Sequence, residues 1–558
     1  MFRMHPATGL LTLLPWAIAA CGGDSPTGPG GGGSGTCADI NLSAGQSTVL
    51  DPAASAGCFR VPAAGAAGAE YLMVALSTSA TVRDGGTTSP YRLTASALGA
   101  PAASVAPSPR LSAFRERQPA AEFHQLLREY EQGLARSPAV QFRIGAMPTA
   151  SGPPVVGSQR SFNVIASTSS PFTFTQVTAT AKYVGRKVAI YLDNAAPSGG
   201  YSETDLDQTG TLFDTQMYAV DSAAFGTESD IDGNSVVAVV LSPAINKLSG
   251  NCNSTGSIIL GFFFGLDLLP SQANSNAGEV FYSLVPDPLN ATCTVPLSLA
   301  RQYLEPTFIH EFQHMISFNQ HVLVRGGDAE ATWLNEGLSH FAEELGARKL
   351  PDAPGDPAGT RFSQFAIGDV TNAYDYLLDP EQHFLIEPLG SLGRLPERGA
   401  NWLFVRWLID HFDTDPLGAN LTRQLLSTSA TGSANVQAVT GQTFATLVTQ
   451  WQMANYLDDL SGFQDAGGRL SYSSWNFRNT YASLHSQDAF RFPLVFPLVP
   501  DTVGASYDRT GTLRGGSGHH VLIEQAPSSG AVEVKLTKDG TAAMDAALEA
   551  RVGVARIR

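Results

Sequence analysis

The residues best suited to chemistry lie in the run Thr307-Phe308-Ile309-His310-Glu311-Phe312-Gln313-His314-Met315-Ile316. His310 and His314 are four positions apart, so on a helix they project from one face about a turn from each other. Two imidazoles so placed can reach one Zn2+ ion, which takes histidine nitrogen at ~2.0–2.1 Å. Glu311 sits beside the first imidazole, where its carboxylate can accept a proton from water that the metal has made acidic. The H-E-x-x-H spacing alone recurs by chance, and a surface helix with incidental His and Glu is the competing reading. Apart from Glu311 the run is uncharged, as a helix buried in a domain core requires. Pro306 stands just before it and suits the first turn of a helix.

A catalytic zinc needs a third protein ligand. The candidate comes 22 residues after His314, in Thr332-Trp333-Leu334-Asn335-Glu336-Gly337-Leu338-Ser339-His340-Phe341-Ala342-Glu343-Glu344. HEFQH followed by WLNEG closely resembles the gluzincin metallopeptidases. The WLNEG context resembles the aminopeptidase N group, and the stretch from about 188 to 460 is similar to the hyicolysin-type secreted bacterial peptidases. This resemblance covers about half of the chain. It implies an α+β multidomain protein whose catalytic domain is a zincin (thermolysin-like), with a twisted sheet above a cleft and the motif helix beneath. A mostly helical lower subdomain is implied as well. Also implied are one Zn2+ per chain held by His310, His314 and Glu336, Glu311 as general base, and peptide or protein substrates.

Three departures from the family pattern bear on the site. Relatives carry an acidic residue four after the third ligand to orient a zinc histidine. His340 stands there instead, with Glu343 and Glu344 one turn later, and either glutamate can serve. His340 reads as a cleft or structural residue rather than a fourth ligand, because a closed site could not admit a reacting water. The aminopeptidase N relatives supply an oxyanion donor from a tyrosine just before a K-G pair. In Leu395-Pro396-Glu397-Arg398-Gly399-Ala400-Asn401-Trp402 that place is held by Pro396. Tyr374, Tyr376, His383 and His411 are candidate donors in the same region, unranked, and each is equally readable as structural. The G-x-M-E-N-like segment that grips a free amino terminus has no counterpart. The nearest string is Gly278-Glu279-Val280-Phe281, whose carboxylate reads as a solvated edge residue. Its absence favours endopeptidase over aminopeptidase action.

Two further strings carry alternatives. Gly261-Phe262-Phe263-Phe264 is either an exposed edge strand that binds extended substrate or, as its apolarity favours, a buried core strand. Asp230-Ile231-Asp232-Gly233-Asn234 resembles the opening of a calcium loop, but Leu241 stands where an EF-hand needs its glutamate. A turn is the expectation there, with Ca2+ as the lesser alternative.

The elements that must hold these residues follow from composition and periodicity. The chain has 558 residues, of which 43% are hydrophobic and 15% charged, so it builds folded domains rather than a disordered polymer. A formal net charge of -16 argues against a nucleic-acid partner. Residues 1–20 read as an export signal, and Ile18-Ala19-Ala20-Cys21 resembles the lipobox of bacterial lipoproteins, in which the cysteine is lipidated. An ordinary signal cleavage site beside an incidental cysteine is the alternative. Residues 21–36 form a Gly/Pro/Ser tether. The expected place is therefore the bacterial cell envelope, lipid-anchored, or the medium, with no contact to a membrane beyond that anchor. Of the other four cysteines, proximity pairs Cys37 with Cys58 and Cys252 with Cys293. Four cysteines allow three connectivities, and spacing alone selects none. A four-cysteine zinc site is the rival, weakened by the lack of any C-x2-C pair. Periodicity gives a small β-sandwich at 37–110 and, at 111–186, a helix (Ala120 to Leu134) with a β segment linking to the catalytic domain. The zincin subdomain follows at 187–345, a helical subdomain at 346–489 and a second small β-domain at 490–558. The function expected is a zinc-dependent extracytoplasmic peptidase. The alternative is a non-catalytic surface adhesin or binding protein on the same scaffold.

Overall fold

A computed structural model describes residues 37–97, 119–137, 152–353, 355–390, 393–415, 417–504 and 506–558. The expected export signal, Cys21 and tether lie outside the described residues, as does the Pro/Ser-rich patch at 101–109. The architecture is mixed α and β. On the N-terminal side run β1 (Ala38–Asp39), β2 (Ser47–Leu50), β3 (Cys58–Val61), β4 (Ala69–Leu76) and β5 (Thr88–Ala97). In the middle come β6 (Gln159–Ile165), β7 (Phe174–Val184), β8 (Val188–Asp193), β9 (Val237–Leu241), β10 (Gly261–Phe263) and β11 (Val280–Ser283). The C-terminal side adds β12 (Asp501–Val503), β13 (Ser506–Arg514), β14 (Gly518–Gln525), β15 (Val532–Thr537) and β16 (Arg551–Arg556).

Both ends of the chain build a single β-sandwich, which corrects the expectation of two separate small β-domains. Its sheets run β1-β3-β15-β5-β13 and β12-β14-β4-β16-β2. β15 lies between β3 and β5, and β16 between β4 and β2, so neither end completes a sheet alone. The period-two alternation of β4 serves two cores. Tyr71, Met73 and Ala75 face the sandwich interior, while Leu72, Val74 and Leu76 join the core of the central body.

The central sheet has the order β10-β11-β9-β8-β7-β6. β8, β9 and β11 are parallel neighbours, and their continuous apolar runs are buried, as parallel strands usually are. β6 and β7 are antiparallel additions, so the segment expected to act as a linker supplies two strands of this sheet. β10 is the opposite edge strand and is antiparallel to β11.

Five helices matter to the site: α1 (Pro119–Ala135), α2 (Leu297–Phe318), α3 (Thr332–Lys349), α4 (Thr360–Leu378) and α5 (Leu395–Phe412). α2 begins at Leu297, so Pro306 sits inside the helix rather than in its first turn, a second correction. A proline there removes one N–H and leaves the carbonyl four residues back without its helical donor. That carbonyl belongs to Gln302, and the Gln364 side chain of α4 donates to it at 2.9 Å. From Pro306 to Phe318 every residue of α2 is buried, as an uncharged helix face all round predicts. α5 packs at unusually close range on both α3 and α4. A Cβ on Gly337 would lie 2.7 Å from the Asn401 carbonyl oxygen, and one on Gly399 would lie 2.3 Å from Asn372 backbone atoms. The cysteines pair as Cys37–Cys58 and Cys252–Cys293. Among the described residues no helix is long and apolar enough to cross a membrane.

Candidate active site

α2 and α3 carry the site between them. His310 and His314 point from the same face of α2, with their Nε2 atoms 3.2 Å apart. Glu336, one turn into α3, brings Oε2 to 3.8 Å from His310 Nε2 and Oε1 to 3.7 Å from His314 Nε2. All three are buried. Neither Glu336 oxygen has a hydrogen-bond partner; a buried carboxylate needs cationic company, which Arg398 Nη1 supplies to Oε2 at 3.1 Å and which a metal ion between the carboxylate and the imidazoles would add. Two imidazole nitrogens and a carboxylate of this kind are the donor set that zinc takes. The residues present therefore fit such an ion.

Each imidazole is held from behind. His310 Nδ1 lies 2.7 Å from Glu343 Oε1, so Nδ1 donates to the carboxylate and Nε2 is left to face Glu336. His314 Nδ1 lies 3.1 Å from Asn335 Oδ1 and 3.0 Å from Ser339 Oγ. The choice left open between Glu343 and Glu344 is thereby resolved. Glu344 points to the other side of α3, where Trp402, Trp475 and Arg348 donate to it. His340 joins the shell behind the site, 3.1 Å from Glu343 Oε1 and 2.8 Å from Asp369 Oδ1 of α4. Burial alone would lower its pKa, but hydrogen bonds to Asp369 and Glu343 outweigh burial and hold it at about 10.

Glu311 faces the sheet. Its Oε2 accepts from the Phe263 amide of β10 at 2.7 Å, next to the imidazole pair. Burial pushes this carboxyl above its usual range, opposed by the charges of His310 and Arg128 and by the Phe263 amide. Glu336 shows the opposite balance. Burial raises it, but Arg398 and the surrounding imidazoles prevail and hold it well below the ordinary carboxylate range. Arg398, in the first turn of α5, has Nη1 3.1 Å from Glu336 Oε2. Sequence reasoning stopped at this segment because of the missing tyrosine and passed over its arginine. Asn335 and Ser339 were in view within the WLNEG stretch but had no role until their contacts were seen.

Tyr374, Tyr376 and His411, three of the candidate oxyanion donors, direct their polar atoms to groups other than the imidazole–carboxylate cluster. Tyr374 OH is bound to the Leu494 backbone, accepting from its N–H at 2.7 Å. Tyr376 OH accepts from Gln452 Nε2 at 3.0 Å, and its ring stacks on Trp451. His411 Nε2 pairs with the Ser471 carbonyl. His383 is buried beside the Tyr376 ring. Glu279, read as a solvated edge residue, is buried and accepts from Ser229 Oγ and the Ile231 amide, which is a further correction. Its carboxylate lies near those of Asp230 and Asp232. In that loop Asp230 takes the Ser235 amide and Asp232 the Asn234 amide, the contacts of a tight turn.

No family model matches the chain. Its sequence is similar to the neutral metalloprotease ShpI of Staphylococcus hyicus, with 27% identity over 176 residues. That match covers 31% of this chain and 37% of the relative, so the chain spans little more than a third of the protein it resembles. Among solved structures, an M1 zinc metallopeptidase of Deinococcus radiodurans bound to a Tyr-Ser-Ala substrate is 16% identical. It aligns over 53% of this chain and 58% of its own at a TM-score of 0.25, too low to carry an argument. The kinship is with a metalloprotease, and it is distant.

Proposed function

We propose that this protein is a zinc-dependent peptidase of the gluzincin kind, acting on extended peptide or protein substrates and more an endopeptidase than an aminopeptidase. The observation that carries the reading is the convergence of His310 Nε2, His314 Nε2 and the buried Glu336 carboxylate, itself ion-paired with Arg398, beside Glu311. The similarity to the neutral metalloprotease ShpI supports it. His310, His314 and Glu336 would hold one zinc ion, which when bound supplies Lewis acidity to a substrate carbonyl and to a reacting water. Glu311 takes a proton at its carboxylate as the water attacks and returns it to the leaving amine. Its raised pKa suits both halves of that shuttle. Glu343 and Asn335 hold the imidazoles in the required tautomers. Ca2+ has no support beyond the turn already described.

The two disulfides support an exported protein, because such bonds persist in oxidising compartments. Attachment through a lipidated Cys21 rests on the sequence alone.

Replacing Glu311 with Gln keeps shape and hydrogen bonding but removes the proton shuttle. The expected result is unchanged zinc content by elemental analysis with a fall in kcat of at least about 100-fold on a labelled peptide. Full activity in the Gln variant would overturn the mechanism.

A further inference from the structure

β10 is an edge strand, and an edge strand presents a row of backbone groups that need partners. Beside a peptidase centre this is where an extended substrate adds as a further strand. In this structure the row is already taken. The Phe263 carbonyl accepts from Arg128 Nη2 at 2.6 Å, and the Gly265 amide donates to Glu131 Oε1 at 2.7 Å. Both partners come from α1. That is why β10 is buried, as the core-strand reading expected, although it lies at the edge of the sheet.

α1 reaches the Gly390 turn and the start of α3 as well. Glu129 accepts from the Gly390 amide at 2.8 Å, and Gln132 meets Thr332 Oγ1 at the start of α3 at 3.5 Å. Phe123 packs edge-on against Phe262 of β10, with ring centroids 5.2 Å apart. His124 is only 8% exposed, and its Nδ1 has no hydrogen-bond partner. Its ring lies within electrostatic reach of Arg398, Glu336 and His310. α1 thus carries, on one helix, groups bonded to the edge strand, to the Gly390 turn and to the start of α3, with His124 in electrostatic reach of the imidazole–carboxylate cluster.

We propose that α1 is an intramolecular occupant of the substrate cleft, which keeps the peptidase shut until the helix is displaced. The proposal rests on the peptidase reading and adds its regulation. Docking of α1 is imperfect in a way that suits release. Arg128 and Glu131 form a buried ion pair at 3.3 Å, yet Arg128 Nε and Nη1 have no hydrogen-bond partner. Such a group weakens the bound state of the helix, as in elements that must move. The helix cannot leave with the N-terminal part of the chain, because β1 to β5 are interleaved with β12 to β16. Activation therefore requires scission on both sides of α1, or movement of α1 while it stays attached.

The test uses the full chain with a recognition sequence for a site-specific protease placed in 98–118 and another in 138–151. A companion chain carries Arg128→Ala and Glu131→Ala instead. Three readouts are taken before and after scission: amide exchange at Gly265, whose N–H is bonded to α1, binding of a fluorescent peptide hydroxamate to the zinc-loaded protein, and hydrolysis of a labelled peptide. If α1 occupies the cleft nine-tenths of the time or more, scission tightens hydroxamate binding about tenfold or more. It also speeds exchange at the Gly265 amide, and the double variant moves the same way without scission. Equal exchange and equal hydroxamate affinity in all forms would overturn the proposal, as would an intact chain hydrolysing peptide at the rate of the cut one. Faster exchange and tighter binding with no hydrolysis would uphold the plug and remove the peptidase reading.

Discussion

Glu336 and Glu343 stand two turns apart on α3 and serve the same imidazole pair from opposite sides. Glu336 faces the Nε2 atoms, while Glu343 holds His310 through Nδ1. Removing each therefore has a different consequence. Glu336→Ala deletes the proposed third ligand and leaves Arg398 buried without its partner, so zinc stoichiometry should collapse when free zinc is kept low by a chelator. Glu343→Gln keeps the size but loses the charge that fixes His310, and zinc affinity should fall by about 10–100-fold while full loading remains attainable. Competition against a metal indicator of known affinity measures both. The sequence showed His310, Glu311, His314 and Glu336 because their spacing within two helices is local. It could not show Arg398 or His124, whose approach depends on how distant helices pack, and it pointed to Tyr374 and Tyr376, whose hydroxyls are held elsewhere.

At the level of elements, the position of Arg398 depends on two glycines. Gly337 follows the candidate ligand directly and lets α5 lie against α3 without an intervening side chain. Gly337→Ala would set a methyl group 2.7 Å from the Asn401 carbonyl oxygen, closer than real contacts allow. The helices must then part, at a cost of about 1–3 kcal/mol for an overpacked core. The expected outcome is a lower Tm together with weaker zinc binding, since Arg398 no longer sets the charge of Glu336. An unchanged zinc affinity would mean that α5 only packs. The helical assignments at α1, α2 and α3 were readable from periodicity, and only the start of α2 was misplaced. A proline marks a probable boundary in sequence, and the Gln364 contact that makes an interior proline tolerable lies 58 residues further on.

For the molecule as a whole, the sandwich docks on the helical body through Glu381. That carboxylate accepts from Tyr91 at 3.1 Å and from Arg509 at 2.9 Å, with His519 Nδ1 3.3 Å away, all from the sandwich. Burial would raise its pKa, but His519 and Arg509 outweigh burial and hold it at about 2. A carboxyl lowered in the folded state stabilises fully above its ordinary pKa, near 4.5, and loses that contribution as pH falls toward 2. Thermal unfolding followed from pH 6 to pH 2 should show a drop in Tm between about 4.5 and 2 that is smaller in Glu381→Gln. The sandwich itself escaped sequence reasoning for a topological reason. Each end shows ordinary alternating strands, and nothing in that alternation says that their neighbours lie more than 400 residues away, as Met73 and Val554 do.

This interleaving bears on how the molecule is made. β16, the last in chain order among the described strands, seats between β4 and β2, which are synthesised hundreds of residues earlier. The two early strands must therefore wait, with open ladders, while everything between them is translated. Nascent chains caught at that stage would present sticky unpaired margins, so a holdase, or prompt completion of translation, becomes a requirement for yield.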